Sequence, residues 1–210
     1  DPSLVWDRLR NLGQVTTVAD ALAEALPGEA RFRGDVVQVE HHLAHQASSF
    51  LVSPFEEAAL LSVDGFGDFA STSWGRGAGA DVRLDGKVYF PHSLGAFYLT
   101  MTQYLGFPRY GDEYRVMGLA PYGEPRYLEE MRRVVRSRKD GTFELDFAFF
   151  RHHDSDLDYR WEGGRPTVED HYTPELEALL GPAREPDEEL TDRHRDVARS
   201  GQARFEECVL

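Results

Sequence analysis

Two histidines spaced four residues apart are the side chains in this sequence best suited to chemistry. His41 and His45 lie in the segment HHLAHQASSFL (41–51), which has helical composition and is ended by Ser53-Pro54. On a helix, side chains at i and i+4 share a face with Cβ atoms ~5–6 Å apart, so both imidazoles can reach one cation. Zinc proteases pair histidines in this way, but the glutamate that serves as their base is absent here. The alternative is a helix start whose histidines are solvated or satisfied in a core.

A carboxylate at the end of a predicted strand can complete a ligand set. Asp64 directly follows the apolar run AALLSV (58–63), which has the length of a buried strand. Two histidines and one carboxylate suit Fe(II) or another borderline divalent ion. Taken alone, an aspartate before a glycine also fits a turn. His42 points elsewhere on the helix, where it either supports the ligands or is simply exposed.

A glycine-rich segment, GFGDFAST (65–72), follows the carboxylate. Gly65 and Gly67 let the backbone turn sharply and approach a ligand closely. Ser71 and Thr72 can offer N–H and hydroxyl donors to phosphate oxygens. A strand rather than a helix is predicted after this turn, which distinguishes it from the GxGxxG loop of dinucleotide-binding folds. An ordinary β-hairpin with a glycine turn is the alternative.

The segment GDEYRVMGLAPYG (111–123) is predicted to be a structured loop with a helical turn. Glu113 could bind ribose hydroxyls, and Arg115 could bind an anionic ligand. A surface ion pair in a loop explains the same residues equally well.

The elements that position these residues mix helices and strands, so the predicted fold class is α/β or α+β. The 140–186 region is rich in Asp, Glu, Gly, Pro and aromatic residues and is predicted to be an irregular insert. The predicted elements are helical stretches in 1–27, strands at 35–39, 72–77 and 82–90 (with a turn signal at Asp85-Gly86), short strands near 143–150, and helices at 94–105, 125–138 and 188–210.

The remaining histidines are predicted to be structural or solvated. His92 precedes an apolar helix and could cap it, and His152 and His153 lie in an acidic loop. His171 and His194 are expected at the surface.

Composition excludes some partners. The 210 residues carry a net charge of −14, which argues against an electrostatic grip on nucleic acid or on an anionic membrane. Cys208 is the only cysteine, and no apolar run approaches the ~18–20 residues of a membrane span, so a cytoplasmic protein is expected. The sequence begins without Met and ends in an apolar, helix-like stretch, so both ends are expected to be cuts.

Three segments together resemble the O-carbamoyltransferase family that includes nodulation-factor and aminoglycoside O-carbamoyltransferases. They are EHHLAHQASSFLVSPFEEAALLSVDGFGDFASTSWG, FPHSLGAFYLTMTQYLGF and GDEYRVMGLAPYGEPRY, and their order and spacing both fit. The resemblance covers 35–130 strongly and the helix at 188–210 loosely. In the family a small residue, Gly, Glu, Tyr and Lys precede the Met-Gly-Leu-Ala run; here Asp112 precedes Glu113 and Arg115 replaces Lys. The role of Arg115 is therefore left open.

The resemblance implies an actin/hexokinase-like (ribonuclease H-like) domain that is incomplete at both ends of the chain. It implies that His41, His45 and Asp64 bind a divalent metal, Fe²⁺ in characterised relatives of this fold. A further aspartate ligand would lie beyond residue 210, and the general-base histidine would lie upstream of residue 1. The turn at 65–72 would hold a phosphate, and Glu113 with Gly118 would contact the nucleoside.

The implied reaction is transfer of a carbamoyl group from carbamoyladenylate to a hydroxyl of a small-molecule acceptor such as a saccharide or natural product. A YrdC-like domain of the same parent chain, absent here, would make carbamoyladenylate from ATP and carbamoyl phosphate. This chain alone is then expected to be inactive. Two alternatives remain open: a small-molecule kinase of the actin-like fold, and a non-catalytic module that binds metal or nucleotide.

Overall fold

The computed structural model describes Ala21, Leu22 and Ala25 and the ranges 34–153, 159–162 and 165–210. The chain divides into two compact units, 1–40 and 41–210. In the first, the three isolated residues are helical, and the rest of the helical region predicted at 1–27 lies outside the described residues. The strand predicted at 35–39 is wrong, because this segment forms neither helix nor strand. A strand requires a hydrogen-bonded neighbour, and no described strand pairs with it.

A three-stranded antiparallel sheet organises the second unit. Its strands are β1 (Glu57–Gly67), β2 (Ala70–Ala78) and β3 (Asp81–Tyr89), paired in the order β1-β2-β3. Asp68 and Phe69, with φ of 49° and 66°, make the turn between β1 and β2. The turn predicted over 65–72 is therefore shorter than expected and does not contain the two glycines, which lie in β1.

The Asp-Gly signal inside β3 marks a bulge rather than a turn. Trp74 pairs with Gly86 and Gly75 pairs with Leu84, so the register shifts by one residue at Asp85. A Cβ at Gly86 would lie 2.2 Å from the Trp74 ring, which explains the glycine by close packing. The turn interpretation of this dipeptide was wrong because a bulge and a turn favour the same residues.

Helices and two small hairpins complete the described part of this unit. The segment predicted as a helix at 125–138 leaves the helical conformation after Val134, where the chain enters a strand. The elements are helices α1 (His41–Phe50), α2 (Leu94–Tyr104), α3 (Glu113–Leu119), α4 (Leu128–Val134), α5 (Pro174–Leu180) and α6 (Asp192–Val209), 3-10 turns at Ala120–Tyr122 and Phe147–Phe149, and strands β4 (Val135–Ser137) with β5 (Phe143–Leu145) and β6 (Tyr159–Glu162) with β7 (Arg165–Val168).

The hydrophobic core gathers around α2. Phe97, Met101 and Tyr104 of this helix are fully buried and belong to one cluster with Val197 and Ala198 of α6. α2 also packs on β1 and β2, so the core joins the sheet to the final helix. The mixed α/β class is confirmed, and the assignment to the actin-like fold stays a prediction. Within the described ranges, no helix combines the length and the apolar character needed to cross a membrane.

Candidate metal centre

His41, His45 and Asp64 converge at one edge of the sheet. α1 packs on the sheet with His41 and His45 on its flank, while Asp64 lies on β1. The Nε2 atom of His41 lies 2.6 Å from Asp64 Oδ2 and 2.9 Å from His45 Nε2. The Nε2 atom of His45 lies 3.4 Å from the same Asp64 oxygen. The three side chains are 34–50% exposed, so they are open to solvent and to a ligand.

The donor atoms of this triad fit a divalent cation. Ligands bound at ~2.0–2.2 Å in tetrahedral or octahedral geometry lie roughly 2.8–3.6 Å from one another. Two of the three separations, 2.9 and 3.4 Å, match that spacing. The third, 2.6 Å, is shorter because a hydrogen bond joins His41 to Asp64. Among the described residues this is the only group of three or more His, Cys, Asp or Glu side chains close enough to hold a metal ion.

The two oxygens of the Asp64 carboxylate have different partners. Its Oδ1 accepts a hydrogen bond of 2.6 Å from the Gly65 N–H, which leaves Oδ2 facing the two imidazoles. Partial burial alone would raise the pKa of Asp64, but the hydrogen bonds from His41 and the Gly65 N–H outweigh it, so this pKa lies below its usual value. The side chain is therefore held in the ionised form that metal binding requires.

Gly67 makes room for the His41 imidazole. A Cβ at this position would lie 2.0 Å from His41 Cδ2 and 2.4 Å from Nε2. At Gly65, in contrast, a Cβ would meet nothing within 4 Å. Both glycines were predicted to let the backbone approach a ligand, whereas the packing shows that the absence of a side chain at Gly67 makes room for the His41 ring.

Asp68 holds the first residue of α1 and was missed by the sequence analysis. Its Oδ2 accepts a hydrogen bond of 2.8 Å from the His41 backbone N–H. The first N–H groups of a helix lack partners within the helix, so a carboxylate here both satisfies one of them and complements the helix dipole. α1 has no acidic residue in its own first turn. The only sequence signal for this role was an acidic residue that follows the glycines.

The N-terminus of α2 fixes the end of β1 beside Asp64. Ser93 caps this helix by accepting a hydrogen bond from Ala96 N–H, and its hydroxyl lies 2.7 Å from the Gly65 carbonyl oxygen. A Cβ at Gly95 would lie 2.7 Å from the Asp64 carbonyl oxygen, so helix and strand are in tight backbone contact. The cap predicted at His92 is wrong, because Ser93 takes that position while His92 Nδ1 accepts a hydrogen bond from Leu145 N–H.

The hydroxyls of Ser71 and Thr72 lie inside the sheet. Ser71 is fully buried and donates a hydrogen bond of 2.6 Å to the His92 carbonyl oxygen. The Thr72 hydroxyl is also buried and has no hydrogen-bond partner in the described part of the chain. Both side chains are thus buried, and their predicted contact with phosphate stays a prediction.

Glu113, Arg115 and Gly118 lie on α3, which packs against α2 and α6. Arg115 is paired at 3.2 Å with Asp112, which is buried. A Cβ at Gly118 would meet nothing within 4 Å, so the backbone is open there. Across the described ranges, no hydrogen bond or ion pair joins these three residues to the metal triad. Their predicted role in nucleoside binding stays a prediction.

Several other histidines are buried where an exposed position had been allowed or expected. His42, His171 and His194 are at most 5% exposed. His194 forms a capping box with Thr191 at the start of α6. Burial, with the nearby His152 and Arg151, lowers the pKa of His171 to about 4. The surface positions predicted for His171 and His194 are wrong, because their polar sequence neighbours do not reveal which residues the packing buries.

Comparison with known proteins identifies the relatives of this chain. Residues 10–160 match the family described as Carbamoyltransferase N-terminus. The chain belongs to this family. His41, His45 and Asp64 all lie within the matched range.

Curated proteins similar to this chain are much longer than it is. Uncharacterised protein sll1178 of Synechocystis is 37% identical over 93% of this chain and 30% of its own length. Nodulation protein NolNO of Sinorhizobium fredii is 47% identical over 41% of the chain and 13% of its length. Nodulation protein NolO of Bradyrhizobium diazoefficiens is 46% identical over 43% and 17%, respectively. The chain therefore spans less than a third of these curated relatives.

Proposed function

We propose that this chain is part of an enzyme that transfers a carbamoyl group from carbamoyladenylate to an acceptor hydroxyl, with a divalent metal held by His41, His45 and Asp64. The observation that carries the proposal is the convergence of these three donor atoms within a chain of the carbamoyltransferase family. Two histidines and a carboxylate favour Fe²⁺ among borderline divalent ions. A bound ion would supply Lewis-acid polarisation of the carbonyl or phosphate oxygen of the donor.

Residues of this chain would hold the ion and place the carbamoyl donor beside it. Asp64 stays ionised through its hydrogen bonds, and Gly67 admits the ring of His41. Gly65, beside the start of α2, is the open backbone position at which the donor phosphate would approach. On α3, the exposed Tyr114 next to Glu113 offers an aromatic face and a carboxylate suited to a nucleoside.

The transfer step needs a group that the triad does not supply. The acceptor oxygen attacks the carbamoyl carbon, the bond from that carbon to the phosphate oxygen breaks, and AMP leaves. The acceptor proton must pass to a general base. We assign no residue of this chain to that task, and place the base and the domain that makes carbamoyladenylate in other parts of the parent protein. The much greater length of the relatives supports that placement.

The test is an assay of the intact protein with ATP, carbamoyl phosphate and a panel of hydroxylated acceptors. Carbamoylated product and AMP are measured for wild type, for His45→Ala and for the control Ser48→Ala. Ser48 is exposed on the same helix and its hydroxyl bonds only the helix's own backbone. We expect His45→Ala to lose at least about 100-fold in turnover, as removal of a ligand exceeds the 10–100-fold effect of outer contacts, and Ser48→Ala to be unchanged.

The alternatives give different results in the same assay. Phosphorylated acceptor formed at an undiminished rate by the His41→Ala, His45→Ala double variant would show a kinase of the same fold. Nucleotide binding without any turnover in the intact protein would show a non-catalytic module. Either result contradicts the proposal.

A further inference from the structure

The inner face of α1 is polar although it is buried. His42, Gln46 and Phe50, spaced four residues apart, are 0%, 1% and 3% exposed and face the sheet. Phe50 packs on Gly77, where a Cβ would lie 2.5 Å from the ring. An amphipathic helix normally presents apolar side chains at all such positions. Two of the three contacts under the metal-bearing helix are instead hydrogen-bonding groups.

These two groups bond a pair of serines that face each other across the sheet. His42 Nδ1 lies 3.2 Å from Ser62 Oγ on β1, and Gln46 Nε2 donates a hydrogen bond of 2.8 Å to Ser73 Oγ on β2. Ser62 and Ser73 are directly opposed in the β1–β2 register. One helical turn of α1 is thus matched to one cross-strand pair.

The same two elements carry the metal triad. Ser62 and Asp64 both bond side chains of α1 from β1, Ser62 through His42 and Asp64 through His41. His42, the neighbour of His41 in the chain, therefore bonds β1 two residues before Asp64. Any slide of α1 along the strand would break the His42–Ser62 bond and displace His41 from Asp64 together.

Stability alone does not account for the polar contacts. His42 Nε2 and Gln46 Oε1 are buried and have no hydrogen-bond partner in the described part of the chain. A buried polar atom without a partner destabilises a fold, and replacing a buried polar pair by apolar groups of similar shape is often neutral or stabilising. Apolar contacts, however, are non-directional, whereas hydrogen bonds fix both distance and angle.

Metal ligation requires that kind of directional control. A shift of α1 by one residue is a rise of ~1.5 Å, whereas metal–ligand distances tolerate only about ±0.2 Å. We propose that His42 and Gln46 are positioning residues, which lock α1 in one register on the Ser62–Ser73 pair and thereby hold His41 and His45 at Asp64. This inference rests on the proposed metal site.

The test measures affinity of the intact protein for Co²⁺ alone, by its visible absorption, together with thermal stability without metal. The key variants are two paired replacements, His42→Leu with Ser62→Ala and Gln46→Met with Ser73→Ala. Each removes a hydrogen-bonded pair without leaving a partner unpaired. Both should bind Co²⁺ about 10–100-fold more weakly, the usual effect of lost outer contacts. Their melting temperature without metal should change little.

Two further variants separate positioning from packing. His42→Asn keeps a hydrogen-bonding nitrogen near the position of Nδ1 and should restore most of the Co²⁺ affinity. Phe50→Leu shrinks the third inner-face side chain and should lower the melting temperature without changing the affinity. If the His42 double variant fails to fold, the Gln46 double variant compared with Phe50→Leu makes the same comparison.

The outcomes distinguish this inference from the function on which it rests. If wild type does not bind Co²⁺, the metal site itself is refuted. If wild type binds but the His42 and Gln46 double variants bind equally well, only the positioning role is overturned. A loss of affinity that always parallels a loss of melting temperature, in Phe50→Leu as in the others, also overturns it.

Discussion

Replacing Gly67 by alanine should disable the metal centre without disturbing the backbone. The new Cβ would lie 2.0 Å from His41 Cδ2, and ordinary contact begins at 3.4 Å, so the ring must move by about 1.4 Å. Metal–ligand distances tolerate about ±0.2 Å, so His41 can no longer bind an ion that remains at His45 and Asp64. We expect the affinity for a divalent metal to fall at least about 100-fold, or ~2.7 kcal/mol.

The matched control is Gly65→Ala, two residues earlier on β1. Neither glycine has a positive φ, so alanine is compatible with the backbone at both positions. Nothing lies within 4 Å of a Cβ at Gly65, and its metal affinity should equal that of wild type. Calorimetric titration of the metal-free protein measures both. Equal affinity in Gly67→Ala and Gly65→Ala would refute the placement of the His41 ring as a metal ligand.

Three further predictions concern the helix cap, the buried histidine and the final helix. Asp68→Ala should lower the free energy of unfolding by about 1 kcal/mol, since it removes the cap of α1. Asp68→Asn keeps a hydrogen-bond acceptor and should lower that free energy less. Equal decreases for the two variants in urea unfolding would argue against the cap. His171 has a pKa of about 4 in the folded state because of burial, below the ~6.5 of an exposed histidine. The unfolded chain therefore binds the proton more readily. The free energy of unfolding should fall by about 2–3 kcal/mol as the pH drops from ~6.5 to ~4. If His171→Phe shows the same dependence of unfolding free energy on pH as wild type, this prediction is contradicted. Arg204 is buried and donates hydrogen bonds to the Val135 carbonyl oxygen and to Ser137. Arg204→Met should therefore lower the free energy of unfolding by about 2–3 kcal/mol. Arg199 forms a partly exposed ion pair with Glu206 at 3.6 Å, so Arg199→Met should change that free energy little in the same denaturation assay.

The placement of each triad residue on its own helix or strand could be predicted from the sequence, because that geometry is local. His41 and His45 meet through helical periodicity, and Asp64 ends an apolar run that does form a strand. Each inference needed only the regular geometry of one element. Their convergence required the packing of α1 on β1, and there the resemblance to a family supplied what periodicity could not.

The support of the site could not be predicted, because it depends on contacts between elements distant in sequence. Asp68 caps a helix 27 residues earlier, and Phe69 takes a positive φ that glycine would adopt more easily. The two glycines nearby suggested a turn and instead lie in β1. Whether His42 faced water or the sheet depended on which face of α1 the strands cover, and a helix with histidines on two faces does not reveal that.

The central claim is tested most directly by diffraction from crystals of the intact protein, with anomalous data collected at the absorption edge of the bound metal. The account predicts one ion about 2.0–2.2 Å from Nε2 of His41, Nε2 of His45 and a carboxylate oxygen of Asp64, and no such peak in His45→Ala crystals. An ion bound elsewhere, or metal content unchanged in His45→Ala, would contradict it.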